Sequence, residues 1–285
     1  MNYRHAYHAG NFADVLKHAL LVRLLRSLQR KETGFVVVDT HAGRGSYDLR
    51  AAAEGDSGPR SPEWPHGIGR LWDRADVPEE VRDYLDLVRA FDRDKGNIAA
   101  TPRFYPGSPR LARMVARPQD RLELWEKHPD ECEALRREFG AERRLSIHGA
   151  DGYGAIKACL PPAERRAVVL IDPPFEEKGE WEHIARAVGQ GIRRFPGGTY
   201  AVWFPLTGRA RDDGFIDALG AAKTPSLSAE LIVDPGAARM KGCGVVVVNP
   251  PWRFDDEARA ILSYLGNVLY RGAGAQGDVR WIVSK

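Results

Sequence analysis

Cysteine is scarce in this chain, and so is a strong excess of charge of either sign. The three cysteines, Cys132, Cys159 and Cys243, stand far apart among 285 residues. They form no paired or metal-like spacing, so they read as reduced thiols that pack. No apolar run approaches the length that spans a bilayer. The start, Met1-Asn2-Tyr3-Arg4-His5, lacks the apolar core of a secretory signal. The expectation is a cytoplasmic protein with no membrane partner. A Cys/His cluster of ligand type is missing as well, so no metal is expected. The formal net charge of +3 is too small to demand a nucleic-acid partner. Neither an internal repeat nor a low-complexity tract is present.

What the chain does have is arginine in doublets. They fall at Arg136-Arg137, Arg143-Arg144, Arg165-Arg166 and Arg193-Arg194, while Arg23, Arg26, Arg30 and Lys31 line the first helix. Each cluster also fits a solvated helix face balanced by Asp and Glu. Charge here permits RNA binding without requiring it.

Apolar spacing predicts an amphipathic helix from Asn11 to Arg30, with Asn11 as its cap. Phe35 to Asp39 then reads as a short buried strand ending in a Gly-containing turn. Ala51 to Pro65 breaks the pattern with Gly, Pro and Ser. Ile68 to Phe91 is helical again, and Pro78 opens a second helix. Ser108 and Pro109 supply a cap and a first-turn proline for a helix through about Ala116.

Further strands are expected at Leu122 to Trp125, Leu145 to His148, Val168 to Asp172, Tyr200 to Phe204, Leu231 to Val233 and Val245 to Val248. Helical stretches such as Asp130 to Phe139 and Trp181 to Arg194 separate most of them. That alternation predicts an α/β fold with a doubly wound, mostly parallel sheet. The last two strands are close enough for an antiparallel hairpin at one edge. One domain over 1–285 is expected, with a helical insertion at about 51–104.

In such a sheet ligands bind beyond the carboxyl ends of the strands, so the loops there carry the chemistry. After the first strand comes Asp39-Thr40-His41-Ala42-Gly43-Arg44-Gly45. Two spaced glycines let backbone pass close to a bound molecule. A dinucleotide fingerprint would need a third glycine, which is missing. The pattern suits an S-adenosylmethionine pocket, and equally a tight turn with a capping Asp. A sharper word is Val168-Val169-Leu170-Ile171-Asp172-Pro173-Pro174-Phe175. Two prolines stiffen the loop and remove two amide donors. The Asp172 carboxylate and the Pro173 carbonyl could converge as acceptors on one amine. An adenine N6 amine is a poor nucleophile, and two acceptors would orient it and stabilise the charge it develops. Phe175 offers a stacking face. Asn249-Pro250-Pro251-Trp252 has the same form but ends a strand expected at the sheet edge, and it reads as structural.

These words resemble the RlmJ family of bacterial 23S ribosomal RNA adenine-N6 methyltransferases. The likeness runs through Tyr3-Arg4-His5, His8-Ala9-Gly10-Asn11, Ala13-Asp14-Val15-Leu16-Lys17-His18 and the Asp39 turn. It continues in Tyr105-Pro106-Gly107-Ser108-Pro109, Glu126, His128-Pro129, Ala150-Asp151-Gly152 and Ile171-Asp172-Pro173-Pro174. Asn249-Pro250-Pro251-Trp252 and Trp281-Ile282-Val283 extend it across essentially the whole chain. The resemblance implies a class I S-adenosylmethionine-dependent methyltransferase fold, Rossmann-like, acting on 23S ribosomal RNA; a monomer is expected. It implies that Lys17, His18, His41 and Ser108 surround the cofactor S-adenosyl-L-methionine and that Glu126 accepts from its ribose hydroxyls. Asp151 and Gly152 would hold the cofactor adenine. Asp172 would be the catalytic acceptor and Tyr3 would touch the target nucleotide. The family's usual motif aromatic is Tyr, where this chain has Phe175. A DNA adenine methyltransferase would share the catalytic word, but no sequence-reading domain stands out. A nicotinamide-dependent oxidoreductase would share the sheet, and a non-catalytic RNA-binding module would not explain the pocket.

Overall fold

The computed structural model describes residues 7–50, 61–238 and 240–284. Tyr3 and most of the Ala51–Pro65 loop lie outside the described residues. Helix α1 (Phe12–Gln29) begins on Asn11, whose side chain accepts hydrogen bonds from the amides of Ala13 and Asp14. Then follow β1 (Val36–Asp39), β2 (Ser46–Asp48), α2 (Glu79–Asp94), β3 (Phe104–Pro106), α3 (Ser108–Val115), β4 (Arg121–Trp125) and α4 (Pro129–Phe139). Next come β5 (Leu145–His148), α5 (Gly154–Cys159), β6 (Ala167–Ile171), α6 (Glu180–Arg194), β7 (Thr199–Leu206) and α7 (Arg209–Gly220). The described chain closes with β8 (Ser226–Ile232), β9 (Gly242–Val248), α8 (Phe254–Val268) and β10 (Gln276–Val283).

Among the described residues the main sheet has the order β10-β8-β9-β7-β6-β1-β4-β5. Strands β5, β4, β1, β6 and β7 are parallel. The chain steps outward from β1 through β4 and β5, then crosses back to β6. That reversal opens a crevice at the carboxyl ends of β1 and β6, the ligand position of doubly wound sheets. It is the class I methyltransferase fold that the resemblance implied.

Both faces of the sheet are covered, which is why its central strands are unbroken apolar runs. Val36 and Val38 face one core with Val169 and Ile171, while Val37 faces the other with Val168 and Leu170. Burying each such side chain contributes about 1.5–3 kcal/mol. Helices α1, α3, α4 and α8 cover one face, and α5, α6 and α7 the other. Helix α1 is less amphipathic than its sequence suggests. It packs against α2, α3 and α8, and even Asp14, Lys17 and His18 are buried. The short β2 pairs antiparallel with β3, so the chain that leaves after Asp48 returns beside it at Phe104.

Three expectations need correction. The pair β8 and β9 is antiparallel as expected but does not form the edge. Strand β9 lies between β7 and β8, and β10 pairs with β8 outside them. Strand β8 also begins five residues before the expected Leu231, at Ser226. Its Ser226, Ser228 and Glu230 dilute the apolar pattern although all three are buried. Finally, Gly107 rather than Ser108 caps α3.

The antiparallel sense of β9 explains the second diproline word. Its carboxyl end points away from the crevice, so Asn249 sits at the amino-terminal edge of the parallel strands. There the Asn249 amide donates to the Pro225 carbonyl at 2.8 Å. Its side-chain nitrogen donates to the carbonyls of Pro196 and Gly198, and its own carbonyl accepts from the Thr199 hydroxyl at 3.0 Å. Asn249 holds φ at +54°, a left-handed conformation that Asn tolerates better than most residues. Asn249→Ala should therefore lower the unfolding free energy by about 1–3 kcal/mol through lost hydrogen bonds and strain. Urea titration would show a lower midpoint at unchanged slope. An unchanged midpoint would mean that this corner carries no structural weight.

Candidate active site

Four adjacent parallel strands each end at or just before an acid. Asp39 ends β1, Glu126 follows β4, Asp151 follows β5 and Asp172 follows β6. They open onto a cleft of about 720 Å³, a volume suited to a cofactor-sized molecule. Lys17, His18, His41, Ser108, Glu126, Asp151, Gly152, Asp172, Pro173 and Phe175 all line this one cleft. Residues separated by as many as 158 positions in the sequence thus meet at the sheet's reversal. Tyr3 lies outside the described residues.

At the diproline corner, the Asp172 carboxylate accepts a hydrogen bond from the Lys17 ammonium at 2.5 Å. Lys17 also donates to Asp14 at 2.8 Å. Burial alone would pull the Lys17 ammonium down, but the carboxylates of Asp14 and Asp172 more than offset it and hold it well above the ordinary lysine value. Asp14 is fixed in turn by the Gly10 amide, which donates to it at 3.0 Å. Two carboxylates thus flank one ammonium, and the trio carries a net negative charge. Pro173 and Pro174 leave the loop without two amide donors. Phe175 then turns left-handed, at φ +54°. Its ring packs against Trp181 at 4.7 Å and Trp203 at 5.6 Å.

The opposite wall is the glycine turn. Gly43 has φ +61°, and a Cβ there would come within 2.6 Å of the Tyr47 hydroxyl. Its amide donates to Glu126 at 2.8 Å, and the His128 amide donates to the other oxygen of the same carboxylate at 2.7 Å. Burial pushes the Glu126 carboxyl up, while these two amides pull it back. A carboxylate held this way keeps its remaining lone pairs for a diol. Gly152 lies against the Thr40 carbonyl, where a Cβ would stand at 1.7 Å; any side chain would push the Asp151 turn off the Asp39 turn. The Thr40 hydroxyl donates to the Leu170 carbonyl and lies 2.8 Å from His41 Nδ1. Burial lowers the His41 imidazole to about 4, so it is neutral at pH 7.

Two residues do something that sequence reasoning did not assign. Ser108 donates to Asp39 at 2.6 Å instead of capping its helix. His18 Nδ1 lies 2.7 Å from the Tyr105 hydroxyl, which is 2.9 Å from that of Tyr84. Asp14, Tyr47 and Trp203 also line the cleft and were missed. For Asp14 a signal existed: with Lys17 it forms an acid–base pair three residues apart on one helix.

Burial holds the Asp39 carboxyl up at about 6, against the pull of the Ser108 hydroxyl. Folding therefore favours its neutral form. That contribution is full below the unfolded aspartate value and is lost as pH rises through about 6. Asp39→Asn removes the dependence. In urea unfolding, the variant's stability relative to the native protein should rise by about 1 kcal/mol between pH 5 and pH 8. A difference that stays constant with pH would contradict this placement of Asp39.

A family model described as Ribosomal RNA large subunit methyltransferase D, RlmJ, matches residues 32–283. Ribosomal RNA large subunit methyltransferase J of Escherichia coli (strain K12) is 37% identical, across 99% of this chain and 99% of its own. The protein of the same name from Haemophilus influenzae is 38% identical at the same coverage. The crystal structure of protein LPL1258 from Legionella pneumophila matches with a TM-score of 0.84 at 33% identity, covering 96% of this chain and 97% of that one. With its residues matched from β1 to β10, the chain belongs to the RlmJ family of ribosomal RNA large subunit methyltransferases.

Proposed function

We propose that this protein methylates the N6 amine of an adenine in 23S ribosomal RNA, with S-adenosyl-L-methionine as methyl donor. The observation that carries this reading is the Asp172 corner. A carboxylate on a stiff diproline loop faces a cofactor-sized cleft and is held there by a buried ammonium at 2.5 Å. When bound, S-adenosylmethionine would supply an electrophilic methyl group, its methyl–sulfur bond breaking to leave the neutral thioether S-adenosylhomocysteine. Every other part of the reaction falls to this chain.

Asp172 and the Pro173 carbonyl accept the two N–H bonds of the adenine amine and turn its lone pair toward the cleft. As the nitrogen forms its new bond to carbon it becomes positive, and the net negative charge of Asp14, Lys17 and Asp172 favours that change. The methylated nitrogen is acidic and sheds its proton to Asp172 or water, so no strong base is needed. Asp172 is therefore chiefly an orienting and charge-stabilising group. Lys17 holds it in place at 2.5 Å. Phe175, wedged between Trp181 and Trp203, presents a ring edge or face to the base. The target adenine must leave its stack to reach this depth.

Toward the cofactor, Glu126 accepts from the ribose hydroxyls, and Asp151 with Gly152 holds the adenine end. His41, neutral and half-buried, and the Ser108–Asp39 pair complete the wall, with His18 behind them. Tyr3 is assigned to the target nucleotide. The close pairing of β2 with β3 supports reading 51–104 as a helical insertion within one domain. Both relatives are ribosomal RNA large subunit methyltransferases by name, which favours large-subunit ribosomal RNA over DNA.

Asp172→Ala should lower kcat for adenine methylation by about 10²–10³-fold or more, the size of losing one developing-charge stabiliser. Its cofactor affinity, measured by calorimetry, should stay within a few fold. Asn249→Ala should retain kcat. The reverse pattern, an active Asp172→Ala and an inactive Asn249→Ala, would move the site to the wrong diproline word.

A further inference from the structure

The arginine doublets are not used by the methyl-transfer cleft, yet the topology gathers three of the four. Arg143-Arg144 immediately precedes β5, Arg165-Arg166 immediately precedes β6, and Arg193-Arg194 ends α6 ahead of β7. All three doublets therefore stand at the amino-terminal ends of the parallel strands, on the side opposite the cleft. From β5 across to β8 this edge spans six strand spacings, roughly 29 Å at about 4.8 Å each.

Three features set this edge apart from an ordinary solvated surface. First, three of its cations are available. Arg143, Arg165 and Arg193 are exposed, and their guanidinium groups make no hydrogen bond or ion pair among the described residues. The nearby acids are already engaged: Glu164 by Arg121, Glu142 by Arg113 and Asp120 by Arg117. Exposed Glu32 and Asp256 are local counter-charges, and Asp256 pairs with Arg253 at 3.1 Å.

Second, the backbone here is strained at cationic positions. Among the described residues six non-glycine residues have positive φ, and five lie at this edge: Arg144, Arg165, Lys223, Asn249 and Arg253. Glycine or asparagine would suit those conformations better. Four of the five positions carry Arg or Lys instead, so the side chain rather than the backbone accounts for the choice. Strain of this kind gathers at functional sites.

Third, the same edge exposes Trp252 at 71% on its diproline corner, with the Arg253 guanidinium 5.4 Å from the ring centroid. An exposed indole beside a guanidinium suits base stacking.

We propose that this edge is a second RNA-binding surface, which holds phosphates of the folded substrate RNA away from the methylated adenine and offers Trp252 to an unpaired base. The inference rests on RNA being the substrate. It adds that a long folded RNA is gripped on two sides of the protein, whereas a short one reaches only the cleft.

The test uses a transcript of the whole 23S ribosomal RNA and a short hairpin carrying only the target adenine and its flanks. The combined variant Arg143→Glu, Arg165→Glu, Arg193→Glu is compared with the native protein, and its melting temperature is checked. For the transcript, KM and Kd should rise tenfold or more while kcat stays within about twofold. The slope of log affinity against log salt should fall by about 2–3, near 0.7–0.9 for each lost phosphate contact. Hairpin methylation should not change. If charge reversal unfolds the protein, the Arg→Gln set should show the same shifts at smaller size. Transcript affinity and salt slope equal to the native values would overturn the proposal. Failure of the native protein to methylate either RNA would overturn the assigned activity instead, and the transcript-binding arm would still decide this surface.

Discussion

The Lys17 ammonium, buried between Asp14 and Asp172, is the interaction on which the rest of the site depends. It joins the first turns of α1 to the loop after β6, two elements 155 positions apart. An ammonium in such a place is tolerated only because both partners are at hydrogen-bond distance. Removing either acid would leave a buried charge short of compensation, at a cost of about 3–5 kcal/mol for a fully buried pair. The pair therefore sets where α1 can lie and how the diproline corner faces the cleft. The same three charges give the corner its negative sign, which is what a nitrogen becoming cationic requires.

Around that pair the sheet acts as a positioning frame. Its reversal between β1 and β6 leaves a crevice at their carboxyl ends, and adjacent parallel strands deliver an acid apiece to the rim. Two close approaches fix the rim's shape: Gly43 beneath Tyr47, and Gly152 against Thr40. The amides of Gly43 and His128 fix Glu126, and Ser108 fixes Asp39. The polar wall is thus tied to backbone or to other buried groups, so its geometry is set before any ligand arrives.

The legible parts of the sequence were those where one local signal dominates. Central strands buried on both faces show as Val and Ile runs, and β1, β4, β5 and β6 were found within a residue. Asp172-Pro173-Pro174 was legible because two prolines after an apolar strand have few other uses. Strands β8 and β10 were blurred or missed because buried serines and Glu230, or scattered polar residues such as Gln276 and Asp278, break their alternation. Ser108 was misread because a serine before proline looks like a cap whatever its hydroxyl touches. Lys17 could not be paired with Asp172 from sequence, since only the fold brings them together. The position of Asn249 turned on strand direction, which apolar pattern does not encode.

Nucleoside mass spectrometry of a 23S ribosomal RNA transcript, incubated with the purified protein and S-adenosylmethionine, tests the central claim most directly. One N6-methyladenosine per transcript, at a single position, is the predicted product. Methylation confined to another base or to ribose, or no incorporation at all, would contradict the account.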